Sequence, residues 1–143
     1  MSEAKARDVR YEDLSVGEVF SFDKTISRED GLLYARLTGD LNPLHIDAEY
    51  GQQSPFKQNL AHGMFVSGLF STLIGMHSTG LRSLYVSQTL EFRAPVFYGD
   101  AITVRGTVIA KSDSVRLVTL KTDVLKGGVL AVAGVAKVRM FEG

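Results

Sequence analysis

The residues able to do chemistry are concentrated between Thr38 and Met64. In the string Thr38-Gly39-Asp40-Leu41-Asn42-Pro43-Leu44-His45, a carboxylate and an imidazole stand five positions apart in a segment shaped by Gly39 and Pro43. Such a turn can aim both side chains at one point. Asp and His, with reference pKa values of about 3.9 and about 6.5, can together hold a water molecule and handle its protons. The same residues also suit a purely structural reading, in which Asp40 caps a turn and His45 is a satisfied loop residue.

The second chemical element is Ala61-His62-Gly63-Met64, directly before a long apolar stretch. There a glycine permits close approach and the first N–H groups of a helix have no partner. A helix start of this kind receives negative charge. A substrate carbonyl pointing there would make the Gly63 N–H an oxyanion donor, a role that typically contributes about 3 to 4 kcal/mol to a transition state. The bland alternative is that Gly63 only eases the chain into the helix. Grouping His45 and Asp47 with His62 or His77 gives oxygen and nitrogen ligands but matches no zinc spacing, so no metal is expected. Ser67 follows Gly63 by four residues and fails the spacing of a serine-hydrolase elbow. Gly127-Gly128 lies between two strand-like runs, which makes it a hairpin turn and not a phosphate cradle.

Positioning these groups requires two kinds of element, and the periodicity changes near residue 82. Val16 to Thr25 alternates loosely as a first strand. Ser27 followed by Asp30 resembles a capping box opening a helix that Gly39 ends. From Leu41 to Leu60 the chain is rich in Asn, Pro, Gln, Ser and Gly, predicting a mostly irregular segment with at most a short helix around Asp47 to Gln53. Met64 to His77 reads as a helix apolar on almost every side, which must therefore be wrapped by protein. Four β-rich runs follow: Ser83 to Ala94, Ala101 to Lys111, Val115 to Lys126 and Val129 to Phe141. Short separators, including Tyr98-Gly99-Asp100, predict antiparallel neighbours, with Pro95 at a strand end or bulge. The expected architecture is an α+β domain spanning 1–143, a curved antiparallel sheet wrapped around one long buried helix, with 1–15 as an N-terminal extension.

Composition narrows the function classes. The 143 residues are 45% apolar, with sixteen Lys and Arg balancing sixteen Asp and Glu and no basic run, so no nucleic-acid partner is expected. The absence of cysteine excludes disulfides, thiolate metal sites and a Cys nucleophile. The stretch from Leu60 to Leu81 carries no charge but is broken by two histidines and four glycines, and reads as a core element, not a membrane span. The opening residues lack a signal-peptide core, so a cytoplasmic setting is expected.

The Thr38 to His45 string, followed after sixteen residues by Ala61-His62-Gly63-Met64, resembles the signature of the MaoC-like, (R)-specific enoyl-CoA hydratases. Gln88 to Asp100 and Ala131-Val132-Ala133-Gly134 also look like the corresponding family segments. Gly51 is a departure from the small residue usual six positions after the histidine. The resemblance implies a hot-dog fold and a hydro-lyase activity: reversible addition of water to a trans-2-enoyl thioester, giving the (R)-3-hydroxyacyl thioester. It implies Asp40 and His45 as the acid–base pair that activates water and Gly63 N–H as the carbonyl donor. Asn42, Ser71 and His62 would be supporting or substrate-binding residues, with Asn42 orienting the turn. It further implies no metal or organic cofactor, coenzyme A or acyl carrier protein entering only as part of the substrate, and a homodimer or higher homo-oligomer. The pathways open to such an enzyme are polyester precursor supply, fatty-acid synthesis and β-oxidation. Two other functions use the same fold: acyl-thioester hydrolysis, and a non-catalytic acyl-thioester-binding partner subunit. Keeping both Asp40 and His45 argues against the latter.

Overall fold

Period-two alternation in the C-terminal half builds the wall of the molecule. In the computed structural model, which describes residues 3–142, one antiparallel sheet is assembled from β1 (Val19–Thr25), β2 (Ser83–Gln88), β3 (Glu91–Phe92), β4 (Ala101–Ser112), β5 (Leu117–Lys126) and β6 (Val129–Met140). The order is β1-β4-β5-β6-β2, with β3 also on β6. Ile102, Val104 and Val108 of β4 and Val118, Leu120 and Val124 of β5 are buried on the inner face. Bulges between Tyr85 and Ser87, Val108 and Ala110, and Val124 and Leu125 bend the strands. Gly127 and Gly128 both have positive φ, the backbone that a two-residue hairpin between β5 and β6 requires.

Two expectations change. The run Ser83 to Ala94 is not one strand: the regular ladder is interrupted at Thr89 and Leu90, where the Thr89 hydroxyl replaces its carbonyl as acceptor for the Val135 N–H, splitting it into β2 and β3. Nor does the Tyr98-Gly99-Asp100 turn make that run a neighbour of β4. One edge of β4 is taken by β1 and the other by β5, so β2 and β3 pair with β6 instead. Pro95 has no N–H to extend a ladder, and the chain crosses from one side of the sheet to the other there.

The helix α1 (Arg28–Thr38) opens with Ser27 Oγ accepting the Asp30 N–H at 3.0 Å and closes on Gly39 at φ 81°, the left-handed conformation a helix end favours. The segment expected to be mostly irregular carries two short helices, α2 (Pro43–Ile46) and α3 (Ala48–Gln53). Asn42 starts α2 with Pro43 next in line, and Asp47 caps α3 by accepting the Tyr50 N–H. The central helix α4 (Gly63–Thr72) continues through a wider π turn at Leu73–His77. It lies against the concave face of the sheet, where a Cβ on Gly106 would stand 2.8 Å from Leu73 Cδ2, so glycine lets the helix seat close. Phe70, 1% exposed, is the largest fully buried side chain, and burying a ring of that size contributes about 2 to 3 kcal/mol. Within one chain the wrapping is incomplete: Met64, Gly68 and Ser71 form an exposed stripe at helical spacing.

The N-terminal segment expected to be an extension packs into the domain. Val9, Tyr11 and Leu14 are buried with Ile74, Val108 and Val138 in a second core cluster. Arg7 N–H donates to Met76 O, Tyr11 Oη donates to Asp113 at 2.7 Å, and Lys111 Nζ donates to the carbonyls of Tyr11 and Leu14.

Candidate active site

Two chain segments meet at the mouth of the sheet. The first runs from Asp40 through α2 and carries His45; the second is Leu60 to Gly63 at the start of α4. One backbone bond, from the Leu60 N–H to Leu44 O, joins them. Asp40, His45 and His62 each bring a ligand-type atom within 4.8 Å of the other two.

The imidazole protons are fixed by their partners. His45 Nδ1 faces the Leu60 carbonyl at 2.9 Å, and a carbonyl only accepts, so Nδ1 carries the proton of the neutral ring and Nε2 is left as an acceptor. By the same logic, His62 Nε2 donates to the Asp40 carbonyl at 3.0 Å. The nearer Asp40 carboxylate oxygen lies 3.9 Å from that nitrogen. His62 is buried against the tilted ring of Tyr34, and its Nδ1 has no hydrogen-bond partner among the described residues. Asp40 is exposed, and one of its carboxylate oxygens accepts the Asn42 N–H at 3.3 Å. Asn42 Oδ1 accepts the Leu44 N–H at 3.0 Å, so this side chain shapes the turn.

A cavity of about 460 Å³ opens beside these groups, within the usual range for small-molecule sites. His45 and Gly63 stand on its wall among apolar residues that include Phe56, Val66, Phe92 and Val132. A Cβ on Gly63 would stand 2.8 Å from the Phe92 ring, so glycine is needed here to let that ring pack. The first intrahelical N–H is that of Val66, donating to His62 O, which leaves the Gly63 N–H outside the helical ladder beside the cavity.

The expected site residues thus separate. Asp40, His45, His62 and Gly63 come together, and Asn42 supports their turn. Ser71 lies two turns further along α4 on the exposed stripe, while the helix serine nearest the site, Ser67, donates to Gly63 O at 2.8 Å. The metal grouping weighed from sequence does not form: Asp47 caps α3, and His77 stacks on Phe22. The cluster that does form, Asp40, His45 and His62, has its two imidazoles stacked 26° from parallel. Ring lone pairs lie in the ring plane, so stacked rings direct them side by side instead of toward one ion. Arg28, Asn59 and Tyr98, which touch the backbone around His45, were not singled out by spacing or type. Asn59 is the one with a readable signal, as a polar residue immediately before Leu60-Ala61-His62.

The MaoC like domain matches residues 13–128. This chain belongs to the MaoC-like family. An (R)-specific enoyl-CoA hydratase of Rhodospirillum rubrum is 38% identical over 128 residues, covering 90% of this chain and 89% of the relative. One from Aeromonas caviae is 36% identical over 128 residues, covering 89% of this chain and 96% of the relative. The solved (R)-hydratase from A. caviae involved in PHA biosynthesis superposes with a TM-score of 0.88 at 35% identity, covering 91% of this MaoC-like chain and 99% of that one. The hot-dog fold is thus shared along nearly the full length of both.

Proposed function

We propose that this MaoC-like chain is an (R)-specific enoyl-thioester hydratase, a hydro-lyase that adds water reversibly across the 2,3 double bond of a trans-2-enoyl-CoA. The observation that carries the reading is that the Asp40 carboxylate lies within 4.8 Å of an imidazole nitrogen of His45, while His45 and Gly63 line one apolar cavity. Identity above 35% to two named hydratases over most of each chain supports it.

The chemistry balances without an added group. The water oxygen bonds to C3, and the π pair of the double bond moves into the thioester as an enolate, whose charge the Gly63 N–H stabilises at the carbonyl oxygen. A proton passes from that water to the Asp40 and His45 pair, and a proton from the pair reaches C2. The Leu60 carbonyl, accepting a hydrogen bond from His45 Nδ1, selects the tautomer this requires. No metal or organic cofactor has a step to perform.

We also propose that the working unit is a homodimer or higher homo-oligomer, in a cytoplasmic setting. The exposed Met64, Gly68 and Ser71 stripe supports it, since a Cβ on Gly68 meets nothing within 4 Å inside its own chain. Leu33, Leu37 and Leu41 add further exposed apolar surface. Ser71 would then face the neighbouring copy. Sedimentation at micromolar concentration should give at least a dimer; a fully active monomer would overturn this.

Following the conjugated thioester of crotonyl-CoA alongside release of free thiol tests the activity. Hydration consumes the chromophore and leaves the thioester whole. Thiol release without hydration would move the reading to a thioester hydrolase.

A further inference from the structure

The four residues of α2 cannot hold themselves in place. Inside the helix the Asp47 N–H donates to Pro43 O, a single complete turn, and so short a helix has no stability of its own. Its carbonyls are met from outside by three side chains. Asn59 Nδ2 donates to Leu44 O at 2.9 Å and Asp47 O at 2.8 Å, with Pro43 O sharing a proton at 3.3 Å. Arg28 Nη2 donates to Ile46 O at 2.6 Å. Tyr98 Oη donates to His45 O at 3.0 Å. All five carbonyls from Pro43 to Asp47, the segment centred on His45, are therefore tied to side chains from elsewhere in the fold.

The three side chains also hold one another. Arg28 Nη1 donates to Asn59 Oδ1 at 2.6 Å, which fixes the amide: the opposite flip would set an oxygen against three carbonyls and an NH₂ against a guanidinium. Asn59 is 6% exposed, so every bond it makes is sheltered from water. Arg28 also sits with its guanidinium over the Tyr98 ring. Burial pushes the Tyr98 hydroxyl above the ordinary tyrosine value, against the opposing charge of Arg28, so it remains a donor. Two glycines make room for the arrangement. A Cβ on Gly51 would lie 2.6 Å from Asn59 Nδ2, and one on Gly31 would collide with the Tyr98 hydroxyl.

We infer that Arg28, Asn59 and Tyr98 are positioning residues for His45, a polar clasp that sets where its imidazole stands relative to Asp40 and Gly63. The inference rests on the proposed acid–base role of His45. It reaches the imidazole from both sides, because Asn59 adjoins Leu60, whose carbonyl takes the Nδ1 proton. General-base chemistry is sensitive to such placement: a displacement of about 1 Å can cost about a hundredfold in rate.

The test compares Tyr98→Phe, Arg28→Gln, Asn59→Ala and Gly51→Ala in the full chain, by kinetics on crotonyl-CoA and by ¹⁵N-histidine NMR of the free protein. Expected losses in kcat are about tenfold for Tyr98→Phe and about a hundredfold for Asn59→Ala, with KM changed by less than about twofold. Gly51→Ala, far from any reacting atom, should lose kcat by pushing Asn59. The His45 Nδ1 proton resonance should weaken or shift in each variant. Unchanged kcat and an unchanged Nδ1 resonance in folded Tyr98→Phe and Arg28→Gln would overturn the clasp, even if the Asn59 variant failed to fold. A wild-type protein that does not hydrate crotonyl-CoA, with the resonance still lost in the variants, would sink the functional reading and leave the clasp standing.

Discussion

The imidazoles of His45 and His62 stack with centroids 4.0 Å apart, and each sends its proton across to the other's chain segment. His45 donates to Leu60 O beside His62, and His62 donates to Asp40 O near His45. The two segments of the candidate site are thus cross-tied by these two rings, and both rings are left with a lone pair on the remaining nitrogen. Of these, the His62 lone pair is buried, so His45 Nε2 is the nitrogen that can meet water.

Asp40→Asn and His45→Gln should each lower kcat/KM for crotonyl-CoA by at least about a hundredfold, the lower end of general acid–base effects. If the pair handles one water as a unit, the double variant should be little worse than the worse single. Losses that multiply would mean independent roles. Steady-state absorbance of the conjugated thioester measures all three.

At Gly63 two substitutions separate two functions. Pro removes the N–H and should abolish turnover in a chain that still folds. Ala keeps the N–H but places a methyl group 2.8 Å from the Phe92 ring, so its loss should be partly relieved by Phe92→Leu. A Gly63→Pro enzyme turning over normally would reduce Gly63 to a packing residue.

Prolonged dialysis against EDTA, followed by assay in metal-free buffer, should leave hydration unchanged. A loss of activity restored by added Zn²⁺ would place an ion among Asp40, His45 and His62 and replace the acid–base reading.

Acid stability should respond to Asp100. Desolvation pushes its carboxyl up, but hydrogen bonds from Lys126 Nζ and the Phe97 N–H, both at 2.8 Å, outweigh this and hold it below its ordinary value of 3.8. A carboxylate depressed in the folded state stabilises fully above its unfolded value and loses that contribution as pH falls through the folded one. Lys126→Met should therefore lower the melting temperature at pH 6, and the deficit should shrink as the pH is taken down through 3.8 and below. An equal deficit at both values would mean that the lysine acts through packing alone.

Much of the fold was legible because burial leaves a periodic trace. The alternation of Ile102, Val104 and Val108, and the uncharged, largely apolar run after Gly63, are local consequences of facing a core. Strand partners left no such trace: β4 is equally satisfied by β1 or by β3, and only the three-dimensional closure decides. Asp40, His45 and Gly63 stood out as candidates because a carboxylate, two imidazoles and a helix-opening glycine fall in one short segment. The backbone carbonyls that Arg28 and Tyr98 serve cannot be read from sequence, since every residue has a carbonyl, and these partners come from 18 and 53 positions away.

Tyr11, Leu14 and their neighbours have a consequence for the order of assembly. They are synthesised well before Lys111 and Asp113, which receive them and lie about a hundred residues downstream. The seal over Ile74 and Val118 therefore cannot close while the nascent chain is short. Until the β4 to β5 hairpin is made, that end of the core stays open to water.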